Sequence, residues 1–220
     1  LNGFYPFKDY WTIKEPFIDL LQALFFKILG VTWFSYVLHA SIFNFIISLS
    51  TYFILRYFKL SADLSFLYSF CVAALTYPTA GTPFSDHHTL ILCILSLYLF
   101  FITIKTNNKY FWFFIPFLLG FSFLSKQAPT AYIILIISFL SLIYFSYKKD
   151  FSGLFFSIIG LLVFIAIFTF TLLLLNIKFV DFINQYFLFP QSLGSTRLDW
   201  VFPLEFKRIV LRFKIHYFSI

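Results

Sequence analysis

Six long apolar runs, separated by short polar segments, are the main pattern in this sequence. Each run holds at most one Asp, Glu, Lys or Arg residue. A helix of about 20 predominantly apolar residues is long enough to cross the hydrocarbon core of a bilayer, so each run predicts a transmembrane helix. The expected spans are Trp33–Leu55, Ser61–Tyr77, His88–Ile104, Tyr110–Leu124, Thr130–Tyr147 and Phe151–Leu175.

A different periodicity precedes the first of these runs. From Pro16 onward, apolar residues recur every three or four positions and charged residues lie between them, which is typical of a helix with one apolar face. Proline suits the first turn of a helix, and Gly30 suits its C-terminal end. We therefore expect an amphipathic helix that lies in the membrane interface, just before the first span. Its apolar residues are Phe17, Leu20, Leu21, Leu24, Phe25 and Ile28.

The composition agrees with a polytopic membrane protein and excludes an ordinary soluble domain. The chain of 220 residues is 61% hydrophobic and 11% charged, whereas soluble domains are nearer half apolar and a quarter charged. We expect one all-α transmembrane domain over residues 1–220, built as a bundle of about six helices. The sequence has no initiator methionine, and we interpret it as a fragment that is incomplete at both ends. Both cysteines, Cys71 and Cys93, lie in apolar runs and are interpreted as small hydrophobic residues.

Basic residues alternate between the connecting loops and predict which side each loop faces. Three alternate loops are rich in lysine and arginine, which by the positive-inside rule makes them cytoplasmic. The outer side then holds residues 1–31, 78–88 and 125–129 and the tail from residue 176. Because the charges lie in such short loops, the net charge of +7 reflects topology rather than nucleic-acid binding. The cytoplasmic basic residues are Arg56, Lys59, Lys105, Lys109, Lys148 and Lys149.

The tail combines an aromatic stretch with a basic segment. Asn184 and Gln185 interrupt residues 182–190, so we expect no seventh crossing there. Residues 206–217 place apolar and basic side chains on different helical faces, which predicts a basic helix in the outer interface. Its four positive charges oppose the positive-inside rule, so this segment is the weakest part of the predicted topology.

Residues 78–89 form the one well-marked interruption of the apolar pattern. Two prolines and a glycine prevent a continuous helix there, and Asp86, His87 and His88 follow where the next run begins. Ionisable groups beside hydrocarbon need a partner, water or a function. Two alternatives remain open: Asp86 caps the following helix, or the three side chains form a metal site, for which no further ligand is evident. His39, inside the first span, is expected to pack against neighbouring helices.

With this topology, most of the unusual polar residues lie on the outer side. Carboxylates beside imidazoles can deprotonate a hydroxyl group, and lysine or arginine can hold a phosphate. These are the parts of an enzyme that uses a lipid-linked phosphate at the outer leaflet. The outer set comprises Asp9, Lys14, Glu15, Asp19, Asp86, His87, His88, Lys126, Gln127, Arg197 and Asp199.

Several of these residues also have a purely structural interpretation. Lys126 can simply extend to the lipid head groups. Arg197 can pair with Asp199 or with Asp181. Asp9 and Glu15 can be ordinary charges of a hydrated loop. The chemical and structural interpretations are not exclusive.

Three motifs, in this order, carry a resemblance to a known family. Residues 3–17 read Gly-Phe-Tyr-Pro-Phe-Lys-Asp-Tyr-Trp-Thr-Ile-Lys-Glu-Pro-Phe, residues 85–90 read Ser-Asp-His-His-Thr-Leu, and residues 120–127 read Gly-Phe-Ser-Phe-Leu-Ser-Lys-Gln. The arrangement resembles the outer loops of GT-C-fold glycosyltransferases of the family 39-like branch, which includes protein O-mannosyltransferases and lipid A aminoarabinose transferases. The Asp-Glu motif that follows the first span in that family is absent here, so we expect the main catalytic carboxylate upstream of Leu1.

The resemblance implies a chemical role for several outer residues. It implies transfer of a sugar from a polyprenyl-phosphate donor to a lipid, glycan or protein acceptor on the outer face, with no cofactor required. It maps catalytic roles onto Asp9 and Asp86. The residues expected to bind substrate are Lys14, Glu15, His87, His88, Lys126, Gln127 and Arg197.

The predicted surroundings are a membrane and its lipids. The bias toward Phe, Ile and Lys is typical of an AT-rich genome and favours a bacterial inner membrane, with the site facing the periplasm. We expect membrane lipids and the donor lipid as partners, and no nucleic acid. A transporter or flippase of lipid-linked sugars is the alternative from another class, and a non-catalytic scaffold subunit is a third interpretation.

Overall fold

All regular secondary structure that the structure describes is helical. The computed structural model describes residues 4–13, 15–78 and 80–193. Helices α1 to α4 cover Pro16–Leu29, Trp33–Tyr57, Ala62–Thr76 and Ser85–Thr106. A 3₁₀ segment at Lys109–Phe113 leads into α5, Ile115–Ser125, which is followed by α6, Gln127–Lys148, and α7, Ser152–Leu174. The last helical segment is α8, Phe179–Ile183, which continues as a π-helix over Asn184–Leu188 and as an α-helix over residues 189–193.

Every predicted span corresponds to a helix, but four of these helices have the length and apolarity to cross a membrane. The four are α2, α4, α6 and α7. Helix α3 has 15 residues, which makes it about 22 Å long, shorter than the hydrocarbon core of about 30 Å. The segment Lys109–Ser125 is also shorter than a full span. The described chain therefore has the architecture of a helical integral membrane protein with four candidate spans, and the six-span count and the GT-C architecture stay predictions.

Helix α4 begins earlier than the apolar pattern indicates. The pattern predicts a start near His88, whereas the helix runs from Ser85. Its N-cap is Phe84, which has an extended backbone (φ −150°, ψ 165°) and provides no side-chain cap. The interpretation of Asp86 as the N-cap is therefore wrong, although the carboxylate lies in the first turn, where the helix dipole favours it. The apolar pattern misses this first turn because the turn is polar.

The predicted amphipathic helix is present as α1, and part of its apolar face is exposed on the surface of the chain. Pro16 lies in its first turn, and Gly30 ends it with a positive φ of 82°. Leu24 and Ile28, predicted on the apolar face, are 50% and 71% exposed on the surface of the chain, whereas Gln22 is buried. A polar side chain takes the buried position because it hydrogen-bonds to a neighbouring helix.

Within the larger unit, the loops of the two predicted sets lie at opposite ends of the helices. At one end, Lys126 contacts Asp86 at the start of α4. At the other end, Nζ of Lys105 donates a hydrogen bond to the carbonyl oxygen of Tyr57 at 3.0 Å, where α4 and α2 end. Helix α6 runs from beside Lys126 to Lys148, and its 22 residues span about 33 Å. This separation agrees with the predicted alternation of the loops, and the membrane side that each end faces stays a prediction.

The described chain forms two compact units. The larger unit comprises residues 15–171 and contains α1 to α6 with most of α7. The smaller unit comprises residues 4–13 together with residues 172–193. Its helical segment after α7 is not among the candidate spans. The predicted basic helix over residues 206–217 lies outside the described residues.

A buried amide holds the smaller unit together. Oε1 of Gln185 accepts a hydrogen bond from the N–H of Thr12 at 3.0 Å, and its Nε2 donates to the carbonyl oxygen of Phe7 at 3.1 Å. The ring of Phe7 makes edge contacts with Phe182 and Tyr186 at centroid distances of 5.3 and 6.3 Å. These contacts attach residues 4–13 to the helical segment that contains the π-helix.

Helix α7 approaches the 3₁₀ segment closely at Gly160. A Cβ atom added at this glycine would overlap the carbonyl oxygen of Phe113, and two further backbone atoms of Phe113 would lie 3.0 and 3.2 Å from it. Glycine is common at such points in membrane helices because it lets two backbones approach each other. This contact fixes the position of α7 against the segment that precedes α5.

Replacing Gly160 by alanine is expected to lower the free energy of unfolding by about 2 kcal/mol. Alanine gains about 1 kcal/mol in helix propensity, but overpacking costs up to about 3 kcal/mol, and a backbone carbonyl cannot rotate away. The thermal unfolding midpoint of the purified protein in detergent measures the effect. Gly120→Ala is the control with the smaller expected loss, because the three atoms nearest to its added Cβ all belong to the side chain of Phe164 rather than to the backbone. An unchanged midpoint for the Gly160 variant would contradict the close approach.

Candidate functional site

An exposed ion pair lies where α4 starts and α5 meets α6. Nζ of Lys126 lies 2.5 Å from Oδ1 of Asp86, although the two residues are 40 positions apart. The Lys126 side chain is 38% exposed and the Asp86 side chain is 56% exposed. Both groups are accessible from outside the bundle, so either can exchange its present partner for a charged ligand.

The backbone fixes the position of Lys126. It separates α5 from α6 as a single extended residue (φ −162°, ψ 129°). Its N–H donates to the carbonyl oxygen of Ser122 at 2.9 Å, and its own carbonyl accepts from the hydroxyl of Thr130 at 2.9 Å. The ammonium group therefore extends from a rigid junction of two helices rather than from a flexible loop.

A buried cluster of small polar side chains lies next to this junction and joins α4, α5 and α6. The Ser122 hydroxyl lies 2.7 Å from the Thr130 hydroxyl and donates to the carbonyl oxygen of Thr89 at 3.3 Å. Sγ of Cys93 lies 3.2 Å from the Ser122 hydroxyl. All four residues are buried. Hydrogen bonds between small polar residues hold membrane helices together, so this cluster fixes how the starts of α4 and α6 meet.

Two buried imidazoles meet at the same end of the bundle, further into it. Nε2 of His39 in α2 lies 2.9 Å from Nε2 of His88 in α4, and neither side chain is exposed. Nδ1 of His39 lies 2.7 Å from Oε1 of Gln22 in α1. Nδ1 of His88 lies 3.2 Å from the carbonyl oxygen of Phe84. Phe25 stacks on His39 at a centroid distance of 4.7 Å, which confirms that His39 packs against neighbouring helices.

The protons can be counted along the series of hydrogen bonds that runs from Gln22 through His39 and His88 to the Phe84 carbonyl. Its outer partners, Oε1 of Gln22 and the Phe84 carbonyl, are both acceptors, so both Nδ1 atoms donate. A neutral imidazole has one N–H, so each Nε2 would then present a lone pair to the other at 2.9 Å. A 180° rotation of the Gln22 amide resolves this conflict. In the resulting neutral state, each group donates a hydrogen bond to the next.

His87 is buried beside this pair without hydrogen bonds of its own. Its side chain is 3% exposed, and its ring centroid lies 5.2 Å from that of His88. Among the described residues, neither of its ring nitrogens has a hydrogen-bond partner. A buried polar group without a partner costs about 1–3 kcal/mol, so this imidazole is positioned to take up a polar ligand group or a water molecule.

The burial of both adjacent histidines differs from the sequence interpretation. The sequence places His87 and His88 among the polar residues of the outer face, yet the structure buries both imidazoles. The reason is that α4 packs against α2, α5 and α6, so successive positions of its first turn face other helices. Binding of a substrate by either imidazole therefore requires access to the interior of the bundle.

The remaining catalytic candidate, Asp9, belongs to the smaller unit. Its Oδ2 accepts a hydrogen bond from the N–H of Tyr5 at 2.7 Å and closes a tight turn. The structure thus brings Asp86 and Lys126 together within the larger unit. A site shared by Asp9 with that ion pair stays a prediction.

The other predicted binding residues are dispersed. Glu15 is the N-cap residue of α1 but makes no side-chain cap bond. Gln127 is the first residue of α6, next to the ion pair. Lys14, Arg197 and Asp199 lie outside the described residues. Within the described ranges, no group of three or more His, Cys, Asp or Glu side chains is arranged to hold a metal ion.

The sequence pattern does not mark Gln22 as a site residue. Its signal in the sequence is weak: it lies four positions after Ile18, and both occupy the buried face of α1. Residues four apart share one face of a helix, so a glutamine beside a buried isoleucine indicates a buried partner. That partner, His39, is 17 positions away in another helix.

The chain matches no known protein family, no curated protein sequence and no solved structure. The class of protein therefore follows from the fold, which is that of a helical integral membrane protein. Its distinctive groups are the exposed ion pair, which joins the starts of α4 and α6, and the buried histidine pair, which joins α2 to the start of α4. The chemistry of the protein is best sought at that end of the bundle.

Proposed function

We propose that the protein is a membrane glycosyltransferase of the GT-C type. It transfers a sugar from a polyprenyl-phosphate donor to a lipid, glycan or protein acceptor at the outer, periplasmic face of a bacterial inner membrane. The observation that carries this proposal is the exposed Asp86–Lys126 pair at the end of a bundle of apolar helices. A lipid-linked sugar phosphate combines a long apolar chain with an anionic group, and this end of the bundle offers contacts for both.

The ion pair supplies two of the charges that such a transfer uses. The acceptor hydroxyl oxygen forms a bond to the anomeric carbon of the sugar, and the bond from that carbon to the phosphate oxygen breaks. Asp86 accepts the proton that the hydroxyl loses. Lys126 stabilises the phosphate, which leaves with both electrons of the broken bond. A donor phosphate that engages Lys126 also releases Asp86 from its ion pair.

The positions of both charged groups are set before any substrate binds. Asp86 lies in the first turn of a candidate span, and Lys126 lies at a junction fixed by two backbone hydrogen bonds. A site on rigid helices loses less conformational entropy and holds its geometry better than one on a mobile loop. The three ordered sequence motifs include both residues and support the same assignment.

The test is donor turnover by the intact protein reconstituted in liposomes. A panel of radiolabelled polyprenyl-phosphate hexoses and pentoses is supplied together with an extract of bacterial envelope lipids, glycans and proteins as acceptor. We expect release of polyprenyl phosphate together with a labelled product, and no release in liposomes that lack the protein. A folded protein that consumes no donor of the panel would rule out the assignment.

A transporter or flippase of lipid-linked sugars is the second candidate, and the buried chain from Gln22 through His39 to His88 favours it. Ionisable groups inside membrane helices commonly mark proton relays and substrate pathways. However, His39 is in the second turn of α2, about 9 Å from the start of that helix, whereas transporter sites lie near the midplane. The same liposomes separate the two functions, because a flippase moves labelled donor across the bilayer without consuming it.

A further inference from the structure

An apolar groove of about 320 Å³ lies between α5, α6 and α7, all within the larger unit. Ligand pockets in proteins typically have volumes of about 300 to 1,000 Å³. The groove is lined mainly by hydrocarbon, with a few serine side chains along its wall. Representative lining residues are Pro116 and Leu119 of α5, Ser138 and Leu142 of α6, and Leu154 and Ser157 of α7.

A positively charged recess adjoins this groove at the end of the bundle opposite the Asp86–Lys126 pair. Trp112 and Phe145 line both the groove and the recess, so the two lie against a shared wall. The recess is also lined by Lys109, Lys148 and Asp150. Two ammonium groups against one carboxylate leave a net positive charge, which favours an anionic group there.

The Asp150 carboxylate in the recess already accepts a hydrogen bond from the protein backbone. Oδ1 of Asp150 accepts a hydrogen bond from the N–H of Ser152 at 2.9 Å. This hydrogen bond holds the pKa of the Asp150 carboxyl below its usual range, with the ammonium of Lys109 adding to the effect. The carboxylate therefore stays ionised, and its single negative charge offsets one of the two ammonium charges.

We propose that the groove and the recess together bind one anionic phospholipid, with an acyl chain in the groove and the phosphate at Lys109 and Lys148. A soluble anion would leave the groove empty, and a neutral lipid would leave the two ammonium groups without a counter-charge. A phosphodiester lipid satisfies both features at a helix end that lies at the membrane surface. The site is at the far end of α6 from the ion pair, so this proposal is independent of the transferase assignment.

The expected preference for anionic over zwitterionic lipid follows from the charges of the recess. A lysine near an anionic membrane surface contributes about 1 kcal/mol to lipid attraction, which corresponds to roughly a fivefold change in affinity. Two lysines opposed by one carboxylate therefore give a preference for anionic over zwitterionic lipid of roughly fivefold. Removal of both lysine charges should abolish that preference.

Quenching of Trp112 fluorescence by brominated lipid measures occupancy of this site. Trp112 is buried in the wall that the groove and the recess share, and bromine on an acyl chain quenches only at short range. A variant of the intact protein in which Trp112 is the sole tryptophan is reconstituted in phosphatidylcholine vesicles. We expect brominated phosphatidylglycerol to reach half-maximal quenching at roughly a fivefold lower mole fraction than brominated phosphatidylcholine.

Three variants locate the site. Lys109→Gln combined with Lys148→Gln should abolish the preference for phosphatidylglycerol, because only the Asp150 carboxylate remains in the recess. Quenching by phosphatidylcholine should stay unchanged, which shows that the fold is intact. Lys149→Gln removes a neighbouring charge that does not line the groove or the recess and should keep the preference. Ser138→Phe, which fills the groove, should reduce quenching by both lipids.

Two results would overturn the proposal. Equal quenching by the two lipids in the parent protein would mean that Trp112 senses only bulk lipid. A preference for phosphatidylglycerol that survives in the double lysine variant would remove the recess as the head-group site.

Discussion

In the intact protein, replacing Asp86 by asparagine is expected to lower the rate of sugar transfer by roughly 10²–10⁴-fold. Asparagine keeps the size of the side chain but cannot accept the proton of the acceptor hydroxyl, and general base catalysis contributes an effect of this magnitude. The side chain is more than half exposed, so the loss should come from chemistry rather than from unfolding. The measurement is the initial rate of product formation in liposomes at saturating donor.

Two companion variants distinguish catalysis from helix stability. Asp63→Asn also removes a first-turn carboxylate, that of α3, and should leave transfer unchanged. Lys126→Ala should raise the donor KM and lower kcat, because Lys126 is assigned to the donor phosphate before and after the bond breaks. Wild-type turnover in both Asp86→Asn and Lys126→Ala would falsify the assignment of this pair, even if the protein proves to be a transferase.

Replacing either His39 or His88 by leucine is expected to lower the free energy of unfolding by about 2–3 kcal/mol. Leucine keeps approximate volume but leaves the facing imidazole buried without its partner, and such an unpaired group costs about 1–3 kcal/mol. Loss of ring stacking, such as that of Phe25 on His39, adds to this cost. Denaturant or thermal unfolding in detergent measures each loss.

The variant that carries both His39→Leu and His88→Leu tests the contact between the two imidazoles more directly than either single variant. When both histidines are leucine, neither leaves an unpaired imidazole behind, so the combined loss should be smaller than the sum of the single losses by about 1–3 kcal/mol. Residues in direct contact show coupling of this size, whereas independent sites add. Strictly additive losses for His39→Leu and His88→Leu would show that the Nε2–Nε2 contact does not form.

The helical architecture could be predicted because it depends on long-range averages of the sequence. A bilayer demands about 20 apolar residues per span, and the runs that became α2, α6 and α7 meet that demand on their own. Pro16 and Gly30 marked the ends of α1 because each has a local backbone requirement that few other residues meet. These sequence features do not depend on contacts with neighbouring helices.

The details of the site depended on side chains that meet across helices, and a single sequence carries little of that information. A helix turns by about 100° per residue, so which residue of α2 faces His88 depends on how each helix is rotated. The pairing of His39 with His88 and Gln22 could not be derived for that reason. Asp86 and Lys126 were both singled out by their unusual position, but the 2.5 Å contact between them is a property of the packed bundle.

The single-residue connection at Lys126 has a mechanical consequence. Two helices that meet with no slack between them move together, so a ligand that pulls the Lys126 ammonium acts directly on the start of α6. Helix α6 ends at Lys148, and at 1.5 Å per residue its far end lies about 33 Å away. A rigid rod pivoted at one end turns a small tilt there into a larger displacement at the other. A tilt of α6 at the Lys126 junction is therefore accompanied by a larger displacement at the Lys148 end of the same helix.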